Sequence, residues 1–116
     1  MSKIQRIGVG ARLSDAVIHG DTIYLAGQVA DKPVPSVTKQ TQQILRGIDK
    51  LLKQCGSDKS KILKCNIWLS DIRYYDEMNK VWDAWVPKGN QPARATVESR
   101  LAGPEYWVEI MVVAAK

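Results

Sequence analysis

Arg94 and Glu109 are the two residues whose types and surroundings best fit a chemical role. Arg94 opens a predicted strand near the C-terminus, and Glu109 lies inside the next predicted strand, among Trp107, Met111 and Val113. An arginine fixed on a strand offers a two-pronged donor to a carboxylate. A carboxylate among apolar side chains either meets a cation or donors, or has a raised pKa and can exchange protons. A structural ion pair at Glu109 and a surface position for Arg94 are the alternatives.

Three further residues are candidates to line the same site. Thr96 shares a strand face with Arg94, two positions away. Asn79 lies beside the apolar stripe of a predicted helix, where it either bonds to a loop or lines a cleft. Gly27 falls within a predicted strand, which indicates close approach by a ligand or a subunit.

The scarcity of other catalytic residue types narrows the chemistry. The chain has one histidine, His19, which we expect at the surface beside a turn, and two cysteines, Cys55 and Cys65. A zinc site with several histidine ligands is therefore excluded, and no metal is expected. There is no Walker loop, HExxH or GxGxxG motif. Any reaction must use arginine, carboxylates, backbone groups and water.

The composition is that of a globular domain with a basic surface. The 116 residues carry a net charge of +5, which raises the question of nucleic acid. The basic residues are spread along the chain without an aromatic-rich RNA-binding motif, so a solvated face is the favoured interpretation. The N-terminal stretch lacks an apolar signal segment, and no apolar run approaches membrane length. We expect a cytoplasmic protein with free thiols and no membrane association.

Hydrophobic periodicity predicts the elements that must position these residues. Helical spacing begins after a Ser36 cap and ends at Gly56, and a second helix runs from an Asp71 cap to Val86. The apolar stripe of this second helix consists of Tyr75, Met78, Val81, Trp82, Trp85 and Val86. Six strands are predicted, at residues 4–9, 15–19, 22–29, 63–70, 93–99 and 107–115. This order predicts one α+β domain over residues 1–116, a mixed sheet with two helices on one face.

The last strand is apolar on both of its faces. One face carries Val108, Ile110, Val112 and Ala114, and the other carries Trp107, Glu109, Met111 and Val113. Two helices can cover only one face of a sheet, and large apolar patches are rarely left in water. The pattern therefore predicts a homo-oligomer that packs sheet against sheet.

These residues also carry a resemblance to a known family. Pro92-Ala93-Arg94-Ala95-Thr96-Val97-Glu98, followed by Val108-Glu109-Ile110, resembles the C-terminal signature of the RidA/YjgF family. Ala26-Gly27-Gln28, Gly56-Ser57 and Met78-Asn79 match as well, so the resemblance spans nearly the whole chain. Arg12-Leu13-Ser14-Asp15-Ala16-Val17 and Trp82-Asp83-Ala84-Trp85 are similar to a YoaB-like branch.

The resemblance implies a chorismate-mutase-like fold in a homotrimer, with the helices outside and clefts between subunits. The implied activity is that of a 2-iminobutanoate/2-iminopropanoate-type deaminase. Such an enzyme hydrolyses enamines and imines, for example 2-aminoacrylate-type species and imino acids, to 2-oxo acids and ammonia without a cofactor. Arg94 would grip the substrate carboxylate, and Glu109 would activate water and protonate departing ammonia. The Thr96 backbone would fix the imine nitrogen, while Gly27 and Asn79 would line the cleft.

One departure from the family pattern concerns the N-terminal loop. Many members have a tyrosine where this chain has Leu13, preceded by Arg12, so no phenol is available at this substrate-binding position. Thr96 stands where many members have cysteine. A non-catalytic trimer that senses small 2-oxo or amino acids is therefore the main alternative, ahead of RNA binding or cleavage, for which the net charge is the only argument.

Overall fold

The computed structural model describes residues 3–116. Met1 and Ser2, part of the stretch in which no signal segment is expected, lie outside the described residues. Two helices, α1 and α2, and six strands, β1 to β6, follow one another in the predicted order. In chain order they are β1 (Ile4–Ile7), β2 (Ala16–His19), β3 (Thr22–Leu25), α1 (Val37–Gln54), β4 (Ile62–Leu69), α2 (Tyr75–Trp85), β5 (Ala93–Glu98) and β6 (Val108–Ala115).

All six strands form one mixed sheet in the order β1-β2-β3-β6-β4-β5. The β4–β5 pair is parallel, and the other pairs are antiparallel. The parallel pair follows from α2, which connects β4 to β5 as a crossover must. The last strand in sequence, β6, therefore lies in the middle of the sheet, and β5 forms an edge.

Local signals set the limits of α1, as the sequence predicts. The Ser36 hydroxyl caps the helix by accepting a hydrogen bond from the Lys39 N–H at 3.1 Å. At the other end Gly56 has φ +78, a conformation that glycine adopts without steric cost. The Gly56 and Ser57 N–H groups then satisfy two terminal carbonyls, those of Lys53 and Leu52, in a Schellman motif.

The start of α2 differs from the prediction. Asp71 caps a 3-10 turn, residues 72–74, by accepting the Arg73 N–H at 2.9 Å, and α2 proper begins only at Tyr75. Tyr75, predicted as part of the apolar stripe, is 41% exposed, whereas Met78 and Trp82 are buried. The helix ends at Trp85, two residues before Pro87, which lacks the N–H that a continuing helix needs.

Both helices pack on one face of the sheet, and the core lies between. Leu45, Ile48 and Leu52 of α1 and Met78 of α2 meet the buried row of β6, and alternate residues of the other inner strands complete the same layer. This confirms the predicted arrangement of a mixed sheet with two helices on one face. The inward residues of the strands are Ala16, Ile18, Ile23, Leu25, Ile62, Cys65, Ile67, Leu69, Val108, Ile110, Val112 and Ala114.

The other face of the sheet, which we call the open face, is not covered by a helix. Glu109, Met111 and Val113 of β6 point to it and are half-buried within the chain. Trp107, predicted to join them, lies before the strand. Its ring stacks on the Tyr74 ring, with 5.3 Å between the two ring centres, and packs against the core. The open face also carries Val17, Tyr24, Asn66, Trp68 and Val97.

Two strands end well before their predicted limits, whereas the bounds of the other four differ from the prediction by at most one residue. The first ends at Ile7 instead of residue 9, because Gly8 turns the chain with φ +66. The strand predicted to reach residue 29 ends at Leu25, and the chain returns to the sheet through an isolated bridge between Gln28 and Ile110. Ala26 and Gly27 lie in this interruption, which alters the backbone next to β6.

The remaining sequence predictions concern cysteines, histidine and membrane association. Cys55 and Cys65 are free, buried thiols, and burial raises the pKa of Cys65 to about 12. His19 is exposed at the end of β2. Among residues 3–116, no helix combines the length and the apolar character needed to cross a bilayer.

Candidate active site

Arg94 lies on the edge strand β5 and points to the helix side of the sheet. Its parallel partner is the buried Cys65, which fixes this direction. The guanidinium Cζ lies 5.2 Å from the centre of the Trp82 ring and 5.8 Å from that of Tyr75. One guanidinium nitrogen, Nη2, donates to the Tyr75 hydroxyl at 3.3 Å. Two aromatic rings of α2 thus hold the cation in place, since ring faces attract cations.

No carboxylate neutralises Arg94 within the described chain. The single ion pair of residues 3–116 joins Arg73 to Asp71 at the surface, at 2.6 Å. Arg94 is half-buried and therefore differs from the exposed surface arginine that was the alternative interpretation. A partly desolvated guanidinium held only by aromatic contacts and one neutral hydroxyl retains its donors for an external carboxylate.

Thr96 and Asn79 lie on the same side of the sheet as Arg94. The parallel register places Thr96 on the same face as Arg94, while Asn79 lies on α2 between Tyr75 and Trp82. Thr96 Oγ1 and Asn79 Oδ1 are both buried without a hydrogen-bond partner among the described residues. Buried polar atoms are rarely left unpaired. The two unpaired atoms therefore mark the neighbourhood of Arg94 as a place where a ligand or another chain supplies polar contacts.

Glu109 lies on β6 and points to the open face. Its antiparallel partner is Trp68, and Met111 follows on the same face. Burial raises the pKa of Glu109 above its usual range. The structural ion pair that was the alternative interpretation is absent from residues 3–116. A carboxyl with a raised pKa and no fixed cation suits proton exchange.

Gly27 lies directly against Glu109. A side chain at this position would overlap Oε2 of Glu109 and would come within 3.1 Å of its Cδ. The close approach predicted from the sequence is therefore made by Glu109 of the same chain. Only a residue without Cβ leaves the carboxyl group in its present position.

Leu13 belongs to the loop between β1 and β2 and is 59% exposed. The loop folds on itself through a hydrogen bond from the Gly10 N–H to the Leu13 carbonyl. The backbone carbonyl of Asp15, at the end of this loop, accepts a hydrogen bond from the Ala26 N–H at 2.9 Å. The loop therefore adjoins the interruption that contains Gly27 and is separated in sequence and topology from edge strand β5.

The predicted site residues thus form two groups on opposite sides of the sheet. Arg94, Thr96 and Asn79 lie on the helix side, whereas Glu109 and Gly27 lie at the open face. One chain does not bring Arg94 and Glu109 together, because the sheet itself separates them. A site that uses both needs Arg94 from one chain and Glu109 from another.

Tyr75 and Trp82 were missed as candidate site residues. The sequence assigns both to the apolar stripe of the second helix, yet they form the platform for Arg94. The signal was available: Tyr75, Asn79 and Trp82 are spaced by four and three, which puts them on one face of a helix. The Tyr75 hydroxyl and the Asn79 amide on that face indicate polar contacts in addition to core packing.

Two cavities of the described chain lie away from these residues. These cavities, of about 580 and 540 Å³, are lined by neither Arg94 nor Glu109. The first lies under the loop of residues 98–106, and the second lies between the helices. No cluster of three metal-binding side chains occurs within residues 3–116.

Comparisons with known proteins identify relatives over the whole described chain. The family model described as endoribonuclease L-PSP matches residues 3–116. The RutC family protein YoaB of Escherichia coli is 46% identical over 112 residues, 97% of each chain. A crystal structure of a YjgF family member from Neisseria meningitidis superimposes with a TM-score of 0.96 at 46% identity, covering 98% of this chain and 95% of that one.

A more distant relative has a name that states a reaction. The 2-iminobutanoate/2-iminopropanoate deaminase of Rattus norvegicus is 29% identical over 109 residues, 89% of this chain and 79% of that protein. The full-length family match and the 46% identity confirm the resemblance inferred from the Arg94 and Glu109 motifs. The chain belongs to the RidA/YjgF family, and it is similar to the YoaB proteins within it.

Proposed function

We propose that the protein hydrolyses imino acids, and the enamines in equilibrium with them, to 2-oxo acids and ammonia. The observation that supports this most is Arg94, a half-buried guanidinium held on two aromatic rings with no acidic partner in residues 3–116. An imino acid carries a carboxylate next to its C=N bond. Binding that carboxylate at Arg94 fixes the position of the electrophilic carbon.

The site is completed in a homotrimer, where a neighbouring chain brings Glu109 to the cleft beside Arg94. The apolar open face, which carries Tyr24, Trp68 and Met111, supports sheet-to-sheet assembly because its burial removes apolar surface from water. Since Arg94 and Glu109 point to opposite faces, each cleft uses one residue from each of two chains. Leu13 of the N-terminal loop accompanies Glu109 at the same cleft.

The reaction needs a placed water and a proton relay. Water adds to the carbon of the protonated imine, forming the C–O bond, while Glu109 accepts a proton from the water and the C=N electron pair moves to the nitrogen to give an amine. Glu109 then returns this proton to the nitrogen, and the C–N bond breaks as the hydroxyl oxygen forms C=O. Glu109 takes up the hydroxyl proton and passes it to the departing ammonia, which leaves as ammonium with a 2-oxo acid as the other product. An enamine enters the same path after protonation at its β-carbon. Positioning and proton relay suffice, because an imine is already electrophilic.

Thr96 and Asn79 contribute binding contacts on the Arg94 side. β5 is an edge strand, so the backbone groups that do not face β4 are available to hold the imine nitrogen. The unpaired Thr96 Oγ1 and Asn79 Oδ1 lie in the same neighbourhood. Both atoms gain partners when the cleft is filled.

The direct test generates imino acids in place. An amino-acid oxidase supplies a panel of them in the presence of a trapping amine, and release of the 2-oxo acid is timed with and without the protein. Faster release in competition with the trap supports the proposal. If no imino acid of the panel is hydrolysed faster than in buffer, the proposal is wrong.

A second candidate is a sensor that binds the same carboxylates without turnover. Leu13 favours it, because this exposed side chain supplies no phenol to the cleft. Calorimetry with 2-oxo acids distinguishes the two functions. Binding that depends on Arg94, without acceleration of any imine, identifies a sensor.

A further inference from the structure

A groove between the two helices has the composition of a second ligand site. It is open to solvent, has a volume of about 540 Å³, and is lined by α1, α2 and Lys59, with no contribution from the sheet. Leu45, Val81 and Trp85 supply apolar contact surface, and Arg46, Lys59 and Lys80 supply three positive charges. This volume lies within the usual range for small-molecule sites.

The three cations of this interhelical groove are not neutralised within residues 3–116, where the one ion pair lies elsewhere. The nearby acids are engaged in other contacts. The Asp49 carboxylate accepts the Trp85 indole N–H at 3.0 Å. The Glu77 carboxylate accepts the Thr38 N–H at 3.0 Å and the Thr38 hydroxyl at 2.9 Å. These carboxylates connect the two helices through hydrogen bonds, and neither forms an ion pair with the three cations within residues 3–116.

Lys59 is held in place before any ligand arrives. Its Nζ donates to the Trp85 carbonyl at 2.8 Å and lies 5.3 Å from the centre of the Trp85 ring. An anchored lysine loses less side-chain entropy on binding than a free surface lysine does. The groove thus combines a fixed cation and an indole at its wall with two further cations.

We propose that the interhelical groove binds a small organic phosphate with a planar ring, such as a nucleoside monophosphate. A phosphate group carries nearly two negative charges at neutral pH and accepts several charge-assisted hydrogen bonds. Three cations that line one groove suit this charge better than they suit a single carboxylate. The planar ring fills the slot between the helices against Leu45, Val81 and Trp85. The site is separate from Arg94, which lies on the other flank of α2 beside β5.

The test measures binding to the full chain by calorimetry, with adenosine monophosphate, adenosine and inorganic phosphate as probes. Adenosine monophosphate binds saturably at one site per chain and at least about tenfold more tightly than either fragment, because it alone offers both the phosphate and the ring. Absence of saturable binding overturns the proposal. Equal affinity for inorganic phosphate also overturns it, because the ring then contributes nothing.

Charge-reversal variants locate the site. Arg46→Glu with Lys80→Glu weakens adenosine monophosphate binding by at least about tenfold, as expected when two charge-assisted contacts are lost. The matched control is Lys50→Glu with Lys53→Glu, two exposed lysines of α1 outside the groove, which changes affinity by less than about threefold because exposed charges are screened. Equal losses in both pairs would mean general attraction to a basic protein and would overturn the site.

Two further controls keep the result interpretable. Arg94→Ala leaves the affinity for adenosine monophosphate unchanged; a loss there would place the nucleotide in the candidate active site and contradict the groove. If the double charge reversal fails to fold by circular dichroism, Arg46→Gln and Lys80→Gln replace it. Each single variant then weakens binding several-fold, and unchanged affinity in both contradicts the proposal.

Discussion

Arg94 and Glu109 lie on opposite faces of one sheet, Arg94 with the helices and Glu109 on the open face. Between β5 and β6 lies β4, whose Cys65 faces Arg94 on one side and whose Trp68 adjoins Glu109 on the other. The proposed deaminase therefore needs two chains for each site. Its activity depends on assembly as well as on the individual residues.

Substitutions of Arg94 test its proposed role in binding the substrate carboxylate. Arg94→Ala lowers kcat/KM for an imino acid by about a hundredfold or more, because two charge-assisted hydrogen bonds to the carboxylate are lost. Arg94→Lys keeps the charge but not the paired geometry and recovers only part of the activity. Arg73→Ala, which removes an exposed surface arginine, serves as the control and leaves kcat/KM unchanged. Near-normal activity of Arg94→Ala would exclude Arg94 from the site.

The pH dependence of the rate reports on Glu109. Burial raises its pKa, and the attack of water requires the carboxylate form. Activity therefore falls on acidification, and it does so at higher pH than an ordinary glutamate would give. Glu109→Gln lowers kcat and removes this acidic limb. A limb that persists in Glu109→Gln belongs to another group and would contradict the assignment.

The burial of Glu109 also affects how the stability of the folded chain depends on pH. The folded chain favours the protonated Glu109, so it binds more protons than the unfolded chain. Its free energy of unfolding therefore falls as pH rises from the ordinary glutamate pKa through the raised one. Glu109→Gln relieves this penalty, and denaturant titrations at several pH values show a larger gain in stability at neutral pH than at pH 4. An equal gain at both pH values would mean that burial does not disfavour the charged form.

Substitution of Gly27 tests the placement of the Glu109 carboxyl. In Gly27→Ala the new methyl group overlaps Oε2 of Glu109, and the carboxylate must move while the backbone keeps its hydrogen bonds. We expect kcat to fall by at least about tenfold, since small displacements of a catalytic group are costly, with the melting temperature nearly unchanged. Gly47→Ala, on α1, is the comparison: its Cβ meets only Gln28 Oε1 at 3.9 Å. Equal kcat in both variants would contradict a positional role for Gly27.

The Tyr75 hydroxyl tests the platform beneath Arg94. Tyr75→Phe keeps the ring and removes the acceptor 3.3 Å from the guanidinium. We expect KM to rise about two- to tenfold, in line with the loss of one neutral hydrogen bond, with little change in kcat. Tyr74→Phe is the matched control, because Tyr74 contributes its ring to a stack with Trp107 and lies outside the Arg94 platform. An equal rise in KM for both variants would mean that Tyr75 acts through the fold alone.

Features encoded locally were predictable from the sequence. The Ser36 cap, the stripe of α1 and the Gly56 end are read from neighbouring residues, and the structure confirms them. Strand alternation also placed Thr96 on the face of Arg94. These features depend on the two periodicities of helix and strand and need no knowledge of the tertiary fold.

The relation between the two halves of the site was not predictable in this way. Side-chain alternation shows which residues of one strand share a face. It does not show whether that face lies on the same side of the sheet as a given face of another strand. That depends on the insertion of β6 between β3 and β4, a pairing between distant segments. The contact between Arg94 and the Tyr75 ring depends in the same way on tertiary packing, although the helical spacing of Tyr75, Asn79 and Trp82 already puts them on one face.

Subunit mixing tests the shared site most directly. Arg94→Ala and Glu109→Gln each retain only a small residual activity alone, but dissociation and reassembly of an equal mixture restores deamination to about a quarter of the wild-type rate. Random pairing in a cyclic trimer gives one cleft in four an intact Arg94 from one chain and an intact Glu109 from the next. If the mixture stays at the residual rate of the single variants although mass spectrometry shows mixed trimers, the two residues do not act across an interface, and the proposed site is wrong.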